Sequence, residues 1–305
     1  FHDLDDEFII GFVFRNQLRK SVPNILDGFK LFKDKNPESK AKLLLHTHWG
    51  EGWDIKRLLK EKGIDNSDIL TTYVCKKCGS YSVVNFRGQE QNCGHCGTEK
   101  SVNTTNTAAG VTEEQLNEIY NLMDVYCHPF TSGGQEIPIQ EAKLTNLVTL
   151  VTNYSCGEDN CSPESGGLPL EWSEYREPGT QFIKASTCPK SILENLEKVY
   201  TMSDEDKESL GSRARQWVID NFSIEVVGKQ LEEIIDNMPT VLYDYDKTHI
   251  TMDPDYMPQE GMKADQFLID IHKNILKEDI DENSEAFKVW ATKINQGVKP
   301  QDILK

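Results

Sequence analysis

Short apolar runs alternating with amphipathic helical patterns over residues 8 to 238 predict an α/β fold built on a doubly wound parallel sheet. Two further observations shape that prediction. A pair of Cys-x2-Cys knuckles interrupts the alternation between Cys75 and Cys96, and beyond Met238 the composition shifts to a Pro, Asp and Tyr-rich stretch before helical patterns resume. The expected organisation is a sheet domain of residues 1–74 and 107–238, a zinc ribbon inserted at 75–106, a linker or strap at 239–262, and a small C-terminal helical attachment at 263–305.

Phe8 to Phe14 is the first strand. The polar turn Arg15 to Ser21 follows, and Ile25, Leu26, Phe29 and Phe32 then recur at helical spacing. Lys42 to His46 reads as the second strand, Asp54 to Lys62 as a helix with Ile55, Leu58 and Leu59 on one side, and Asp68 to Val74 as a third strand running into the ribbon. Thr112-Glu113-Glu114-Gln115 is a capping box, with Leu116, Ile119, Tyr120 and Met123 in helical register behind it. Val125 to Phe130 is the next strand; it ends in Thr131-Ser132-Gly133-Gly134-Gln135, and Pro138 suits the first turn of the following helix. Val148 to Asn153 returns to the sheet. Tyr154 to Leu168 is too polar for core, Gln181 to Ser186 is expected as the last strand, and Pro189 opens a helix. Helices around Leu210 to Ile219 and Glu225 to Ile235 complete the domain.

Within the insertion, Cys75-Lys76-Lys77-Cys78 and Cys93-Gly94-His95-Cys96 flank what reads as a short hairpin around Tyr81, Val83 and Phe86. Four thiolates at this spacing satisfy tetrahedral Zn²⁺ and leave no open position, so the predicted metal is structural. A redox Cys-x-x-Cys would need only one pair. With four thiolates available, His95 is a bystander.

The remaining cysteines, Cys127, Cys156, Cys161 and Cys188, are scattered, which favours a reducing compartment and a cytoplasmic location over a secreted disulfide framework. Hydrophobic content of 37% and charged content of 27% fit a globular chain, and no apolar run approaches the roughly 20 residues of a membrane span. The formal charge of -17 repels phosphate backbones, so nucleic acid is a poor partner for the chain as a whole. The opening Phe1-His2-Asp3 has neither an initiating Met nor a signal-like segment and leads almost directly into the first strand, as expected of a piece cut from a longer protein.

Open parallel sheets bind ligands at the carboxyl ends of their strands. There the first turn offers Arg15, Arg19 and Lys20 to neutralise a diphosphate, and Gly133-Gly134 leads a helix whose N-terminal amides favour an anion or sugar oxygens. On chemistry alone, a solvated basic turn and an ordinary strand-to-helix turn remain open readings of the same residues. His46, His48 and His128 lie near strand ends, where packed or solvated roles are expected before acid/base ones.

Several segments carry a family resemblance. They are Phe12-Val13-Phe14-Arg15 with Lys20 five residues after the arginine, Tyr120-Asn121-Leu122-Met123-Asp124-Val125 leading to Pro129, Thr131 to Ala142 ending Ile137-Pro138-Ile139-Gln140-Glu141-Ala142, and Arg213 to Trp217 through Asn221-Phe222-Ser223. In order and spacing they resemble the nucleotide-binding half of retaining glycosyltransferases with two Rossmann-like domains, the GT-B type. The resemblance covers about residues 8 to 238 apart from the ribbon. It implies a Rossmann-like fold, a nucleoside-diphosphate sugar as donor, a missing N-terminal half, and retaining transfer to an acceptor this chain does not define.

Residue by residue, the resemblance implies that Arg15 and Lys20 grip the donor diphosphate and that Glu141 holds the ribose hydroxyls. Lys20 and Glu141 lie at strand or helix ends and are expected outside the core. The sequence departs from the family at one point: the glutamate usually found eight residues before the position of Glu141, near the donor sugar, is Gly133 here. Gly134, Gln135 and Glu136 are expected to take over the sugar contacts, Glu136 with a catalytic role. The family's nucleobase packs near the segment matching Thr104 to Gly110, so the ribbon is expected to border the base pocket. The alternative from another class is a non-catalytic, ribbon-bearing module that binds nucleic acid or protein.

In the tail, Phe267, Leu268, Ile271 and Ile275 predict one amphipathic helix, and Phe287, Trp290, Ile294 and Ile303 further helical turns. Asp279, Asp281 and Asn283 hint at a calcium loop, but Ser284 and Trp290 stand where its glycine and closing glutamate belong.

Overall fold

The computed structural model describes residues 4, 6–106, 108–238, 263–277 and 279–297. The chain divides into two compact units, Phe1–Glu233 and Ile234–Lys305. The expected linker at 239–262, the Phe1-His2-Asp3 opening, the Ile275 side chain and Ile303 lie outside the described residues.

In the first unit the sequence builds β1 (Phe8–Val13), α1 (Val22–Lys35), β2 (Ala41–His46), α2 (Ile55–Lys62), β3 (Ile69–Cys75), β4 (Tyr81–Asn85), β5 (Val102–Thr104), α3 (Glu113–Tyr120), β6 (Val125–His128), α4 (Ile137–Leu144), β7 (Val148–Thr152), α5 (Cys156–Asn160), β8 (Leu168–Leu170), β9 (Trp172–Arg176), β10 (Ile183–Thr187), α6 (Pro189–Tyr200), α7 (Asp204–Phe222) and α8 (Ile224–Asp236), the last running into the second unit. The parallel strands lie in the order β3-β2-β1-β6-β7-β8, which is a doubly wound sheet whose order reverses between β1 and β6.

The period of two in β1 shows why both faces are covered. Phe8, Ile10 and Phe12 pack with Ile25, Phe29, Leu59 and Ile192 of α1, α2 and α6, while Ile9 and Val13 pack with Ile119, Tyr120 and Ile139 of α3 and α4. All six β1 residues are buried, as expected of a central parallel strand. The capping box at Thr112 forms as predicted, its hydroxyl accepting from the Gln115 amide and the Gln115 side chain from the Thr112 amide.

Three expectations need correction. Gln181 to Ser186 does not complete the sheet: β10 pairs antiparallel with β9 in a separate hairpin, and β8 takes the place beside β7. Leu168 and Leu170 are buried there, and Pro169, which lacks a ladder donor, is tolerated because β8 is an edge. The stretch Tyr154 to Leu168 is not excluded from the interior. Asn160, Cys161 and Ser165 to Gly167 are buried, because the ammonium of fully buried Lys143 donates to the Asn160 and Ser165 carbonyls at 2.7 and 2.9 Å. Within the ribbon, β4 pairs antiparallel with β3 rather than forming a self-contained hairpin in 79–92, and β5 joins the end of β3. The ribbon is therefore an outgrowth of β3, the last parallel strand on that side of the sheet.

In the second unit, α9 (Ala264–Asp270) continues into a wider turn over Ile271–Leu276, and α10 (Glu285–Asn295) follows. Phe267, Ile271 and Ile294 pack together as its small apolar cluster. Among the described residues no helix is long and apolar enough to cross a membrane.

Candidate functional site

The strand order reverses between β1 and β6, and the carboxyl ends of these two strands hold a buried polar cluster. A single 3-10 turn, Leu18–Lys20, leaves β1 and passes into α1 through Ser21 at φ 44°. The Thr131 amide donates to the Arg19 carbonyl at 2.8 Å, fastening this turn to the loop after β6. Lys20 and Glu136 thereby meet although 116 residues apart in sequence: Lys20 Nζ donates to Glu136 Oε2, and Arg19 Nη1 donates to Glu136 Oε1.

Lys20 is 3% exposed, Glu136 2% and His128 0%, so the cluster sits beneath the surface rather than on it. His128 Nε2 lies 3.2 Å from Glu136 Oε2 and 3.5 Å from Lys20 Nζ. On its other side, His128 Nδ1 lies 2.7 Å from the Tyr126 hydroxyl, which donates to the Val13 carbonyl at 3.1 Å. Burial lowers the His128 pKa to about 4, opposed by the hydrogen bond and the charge of Glu136. Burial also lowers the Lys20 pKa, opposed by the charge of Glu136. Burial alone would raise Glu136, yet His128 and Lys20 outweigh it and keep the carboxyl well below the usual carboxylate range.

Beside this cluster lies a cleft of about 280 Å³, lined in part by Val13, Arg15, Thr47, Thr105, Val111 and Pro138. The hydroxyls of Thr47 and Thr105, 2% and 5% exposed, have no hydrogen-bond partner among the described residues. Polar side chains of Arg15, Asn16, His46, His48 and Glu51 also line the cleft, so it offers charged and hydrogen-bonding groups to a polar ligand. Arg15 reaches Glu51 at 3.6 Å. Asn16, buried below the rim, shapes the loop opposite: its Nδ2 donates to the carbonyls of His48 at 3.3 Å, Trp53 at 2.9 Å and Glu51, and its Oδ1 accepts from the Trp53 amide at 3.0 Å. Gly52 in this loop sits at φ 60°, and a Cβ there would meet the Asn16 carbonyl.

The structure separates residues that the sequence reading grouped together. Arg15 lines the cleft, whereas Lys20 belongs to the buried cluster, contrary to its expected place outside the core. Glu136, expected to touch a sugar, is buried under Arg19, Lys20 and His128, because the turn before α4 points it inward, where Arg19 and Lys20 donate to it and the His128 ring lies beside it. Gly134 and Gln135 are exposed. Gly133 is held from behind: the Ser155 hydroxyl, on a residue at φ 56°, donates to its carbonyl at 2.7 Å. Glu141 is half-buried on α4 and accepts from the Tyr120 hydroxyl at 2.8 Å. Arg19, His128, Tyr126 and Tyr120 gain their partners from the fold. The sequence signals Arg19 as one of three cations in a strand-end turn, His128 as a strand-end histidine and Tyr120 as a helix-face residue, but not their meeting with Glu136 and Glu141.

In the ribbon, the sulfurs of Cys75, Cys78, Cys93 and Cys96 all lie within 4.8 Å of one another. Cys75 to Cys96 and Cys78 to Cys93 are each 3.8 Å apart. Four sulfurs bound about 2.3 Å from a tetrahedral ion are about 3.8 Å from each other, so the cluster has the dimensions of a closed four-thiolate site. Gly110, at the end of the segment following β5, lines both the cleft and a hollow bordered by Cys75 and Lys76, so the ribbon and the cleft share a wall.

No protein-family model and no curated protein matches the sequence. Solved structures match in shape. A glycosyltransferase from Rickettsia africae is 14% identical, with TM-score 0.51, covering 76% of this chain and 49% of its own. HepE from Anabaena, in complex with UDP and glucose, is 10% identical over 77% of this chain and 50% of its own, with TM-score 0.51. Sucrose-phosphate synthase from Thermosynechococcus elongatus is 14% identical over 76% of this chain and 45% of its own, with TM-score 0.50. The chain thus spans about half the length of these proteins. With the strand order and flanking helices, these likenesses establish the architecture: an α/β unit matching the Rossmann-like domains of GT-B glycosyltransferases, carrying a four-cysteine cluster at the end of β3.

Proposed function

We propose that this chain is the donor-binding half of a retaining glycosyltransferase, taking a sugar from a nucleoside diphosphate with the help of a second, N-terminal half. The observation that carries this is the pairing, at the sheet's switch point, of a cleft lined by Arg15, Asn16, His46 and Glu51 with a cluster of fixed cations beside it. That pairing suits a ligand with a base at one end and a diphosphate at the other. The fold neighbour solved with UDP and glucose supports the ligand class.

In this reading the base lies in the cleft between Thr47 and Thr105, with Arg15 at the diphosphate end and Glu141 toward the ribose. Arg19 faces the leaving phosphate, and buried Lys20 adds its charge from behind. Glu136 acts as their internal counter-ion: it keeps both cations charged and fixed before the donor arrives, and the diphosphate then takes over part of that charge. Pre-set cations stabilise the negative charge that develops as the glycosidic bond breaks, without rearrangement at the moment of reaction. The four cysteines would hold a structural zinc that closes the ribbon. Their role is to fix the shared wall of the cleft, and a closed four-thiolate site offers substrate no coordination position.

The reaction is tested by incubating the full-length protein with a panel of nucleoside-diphosphate sugars and acceptors and following the anomeric proton of the product by NMR. A product with the donor's anomeric configuration supports the proposal. Inversion overturns retention, and absence of any turnover or donor hydrolysis favours the non-catalytic binding module.

A further inference from the structure

A groove of about 460 Å³ lies between α2 and the segment after β4, and it shares no lining residue with the cleft at the switch point. Its floor is apolar. Leu59 and Ile64 are buried, and half-buried Phe86 stacks on Trp49 with ring centroids 4.0 Å apart and planes inclined by 5°. Its rim is cationic, formed by Lys56 and Lys60 one helical turn apart on α2, and by Arg87. Lys56 Nζ stands 5.7 Å from the centre of the Phe86 ring.

Among the described residues none of these three cations has an ion-pair partner, whereas their neighbours on α2 do: Arg57 bonds Glu61 and Lys62 bonds Asp27. Two lysines at i and i+4 repel each other, so the local helix gains nothing from the arrangement. The strand end that supplies Phe86 and Arg87 is firmly held. The Arg87 amide donates to the Tyr73 hydroxyl at 2.7 Å, that hydroxyl donates to the Gly88 carbonyl at 2.8 Å, and Asn66 Nδ2 donates to the Phe86 carbonyl at 3.2 Å. A fixed aromatic floor ringed by unpaired cations, in a chain of net charge -17, concentrates positive potential at one concave place.

We propose that this groove is a second ligand site, independent of the donor cleft, for a small phosphate monoester bearing a planar or apolar ring. The phosphate meets Lys56, Lys60 and Arg87, and the ring lies along Phe86.

The test is calorimetric titration of phenyl phosphate and inorganic pyrophosphate, at low salt, into the wild-type chain, Lys60→Glu/Arg87→Glu and Phe86→Leu. Phenyl phosphate should bind the wild type, bind the charge-reversed variant at least about tenfold more weakly, and lose several-fold with Phe86→Leu, while pyrophosphate is insensitive to Phe86→Leu. A neutral pair, Lys60→Gln/Arg87→Gln, gives the same reading if charge reversal impairs folding, with the thermal midpoint as control. Unchanged binding in both charge variants, or no wild-type binding, overturns the site. Equal affinity for both probes with no effect of Phe86→Leu overturns the ring contact. Displacement of phenyl phosphate by a single-stranded oligonucleotide at far lower concentration overturns the small-molecule assignment.

Discussion

Glu136 occupies the space into which a side chain at position 133 would grow: a Cβ on Gly133 would lie 2.5 Å from Glu136 Oε1. A longer side chain at position 133 would therefore compete for space with the carboxylate that arrives from three residues later. The oxygen is not free to swing away, because Arg19, Lys20 and His128 hold the same carboxylate.

This geometry predicts strong coupling between the two positions. Gly133→Glu alone should destabilise the fold by about 1 to 3 kcal/mol through overpacking. Gly133→Glu/Glu136→Gly, which moves the carboxylate back to the earlier position, should recover most of that loss. Urea unfolding of the two single variants and the double variant measures the coupling. Additive losses would show that the side chains do not compete for this space.

Lys20 should have a structural and a binding role that can be separated. Lys20→Ala leaves a buried carboxylate with fewer partners and should cost about 3 kcal/mol of stability. Adding Glu136→Gln removes that charge and should restore stability without restoring nucleoside-diphosphate affinity, which stays at least about tenfold below wild type. Recovery of affinity along with stability would make Lys20 a purely structural residue.

Stability should fall on acidification through the window set by two histidines. Burial holds His46 and His128 at about 4, below the ordinary 6.5. Between pH 6.5 and 4 the unfolded chain therefore binds more protons than the folded one, and stability drops as pH falls through that range. Each group contributes at most about 1.4 kcal/mol per pH unit. Denaturant midpoints at stepped pH, compared with His46→Gln, should show a shallower fall in the variant. Imidazole NMR signals that titrate near the ordinary value would contradict this.

Much of the frame was legible because its physics is local. The strands β1, β2 and β3 are apolar runs buried on both faces, the Thr112 cap lies within four consecutive residues, and the cysteine knuckles repeat at metal-ligand spacing. The misplaced elements depended on competition between segments. Pro169 disguised the edge strand β8, while the better-patterned Gln181 to Ser186 found its partner in β9 instead of the sheet. The site was half legible for the same reason. The cations of the first turn announced themselves, but the sequence could not show that Lys20 would be buried against a carboxylate from the far side of the switch point, or that His128 would join them.

The cysteine cluster should hold one zinc per chain. Cys75→Ser should lower the metal content and loosen residues 75–106 while the parallel strands persist, as judged by elemental analysis together with amide hydrogen exchange. A metal-free wild type, or unchanged metal in Cys75→Ser, would remove zinc from the account.

The most direct measurement is calorimetric titration of UDP, GDP and ADP into the wild-type chain and into Thr47→Val/Thr105→Val. If the cleft reads the base of a nucleotide-sugar, one diphosphate should bind at least about tenfold more tightly than the others, and the preference should narrow when the two buried hydroxyls are removed. Absence of binding by all three, or equal binding indifferent to the double variant, would contradict the assignment of this cleft to a nucleotide.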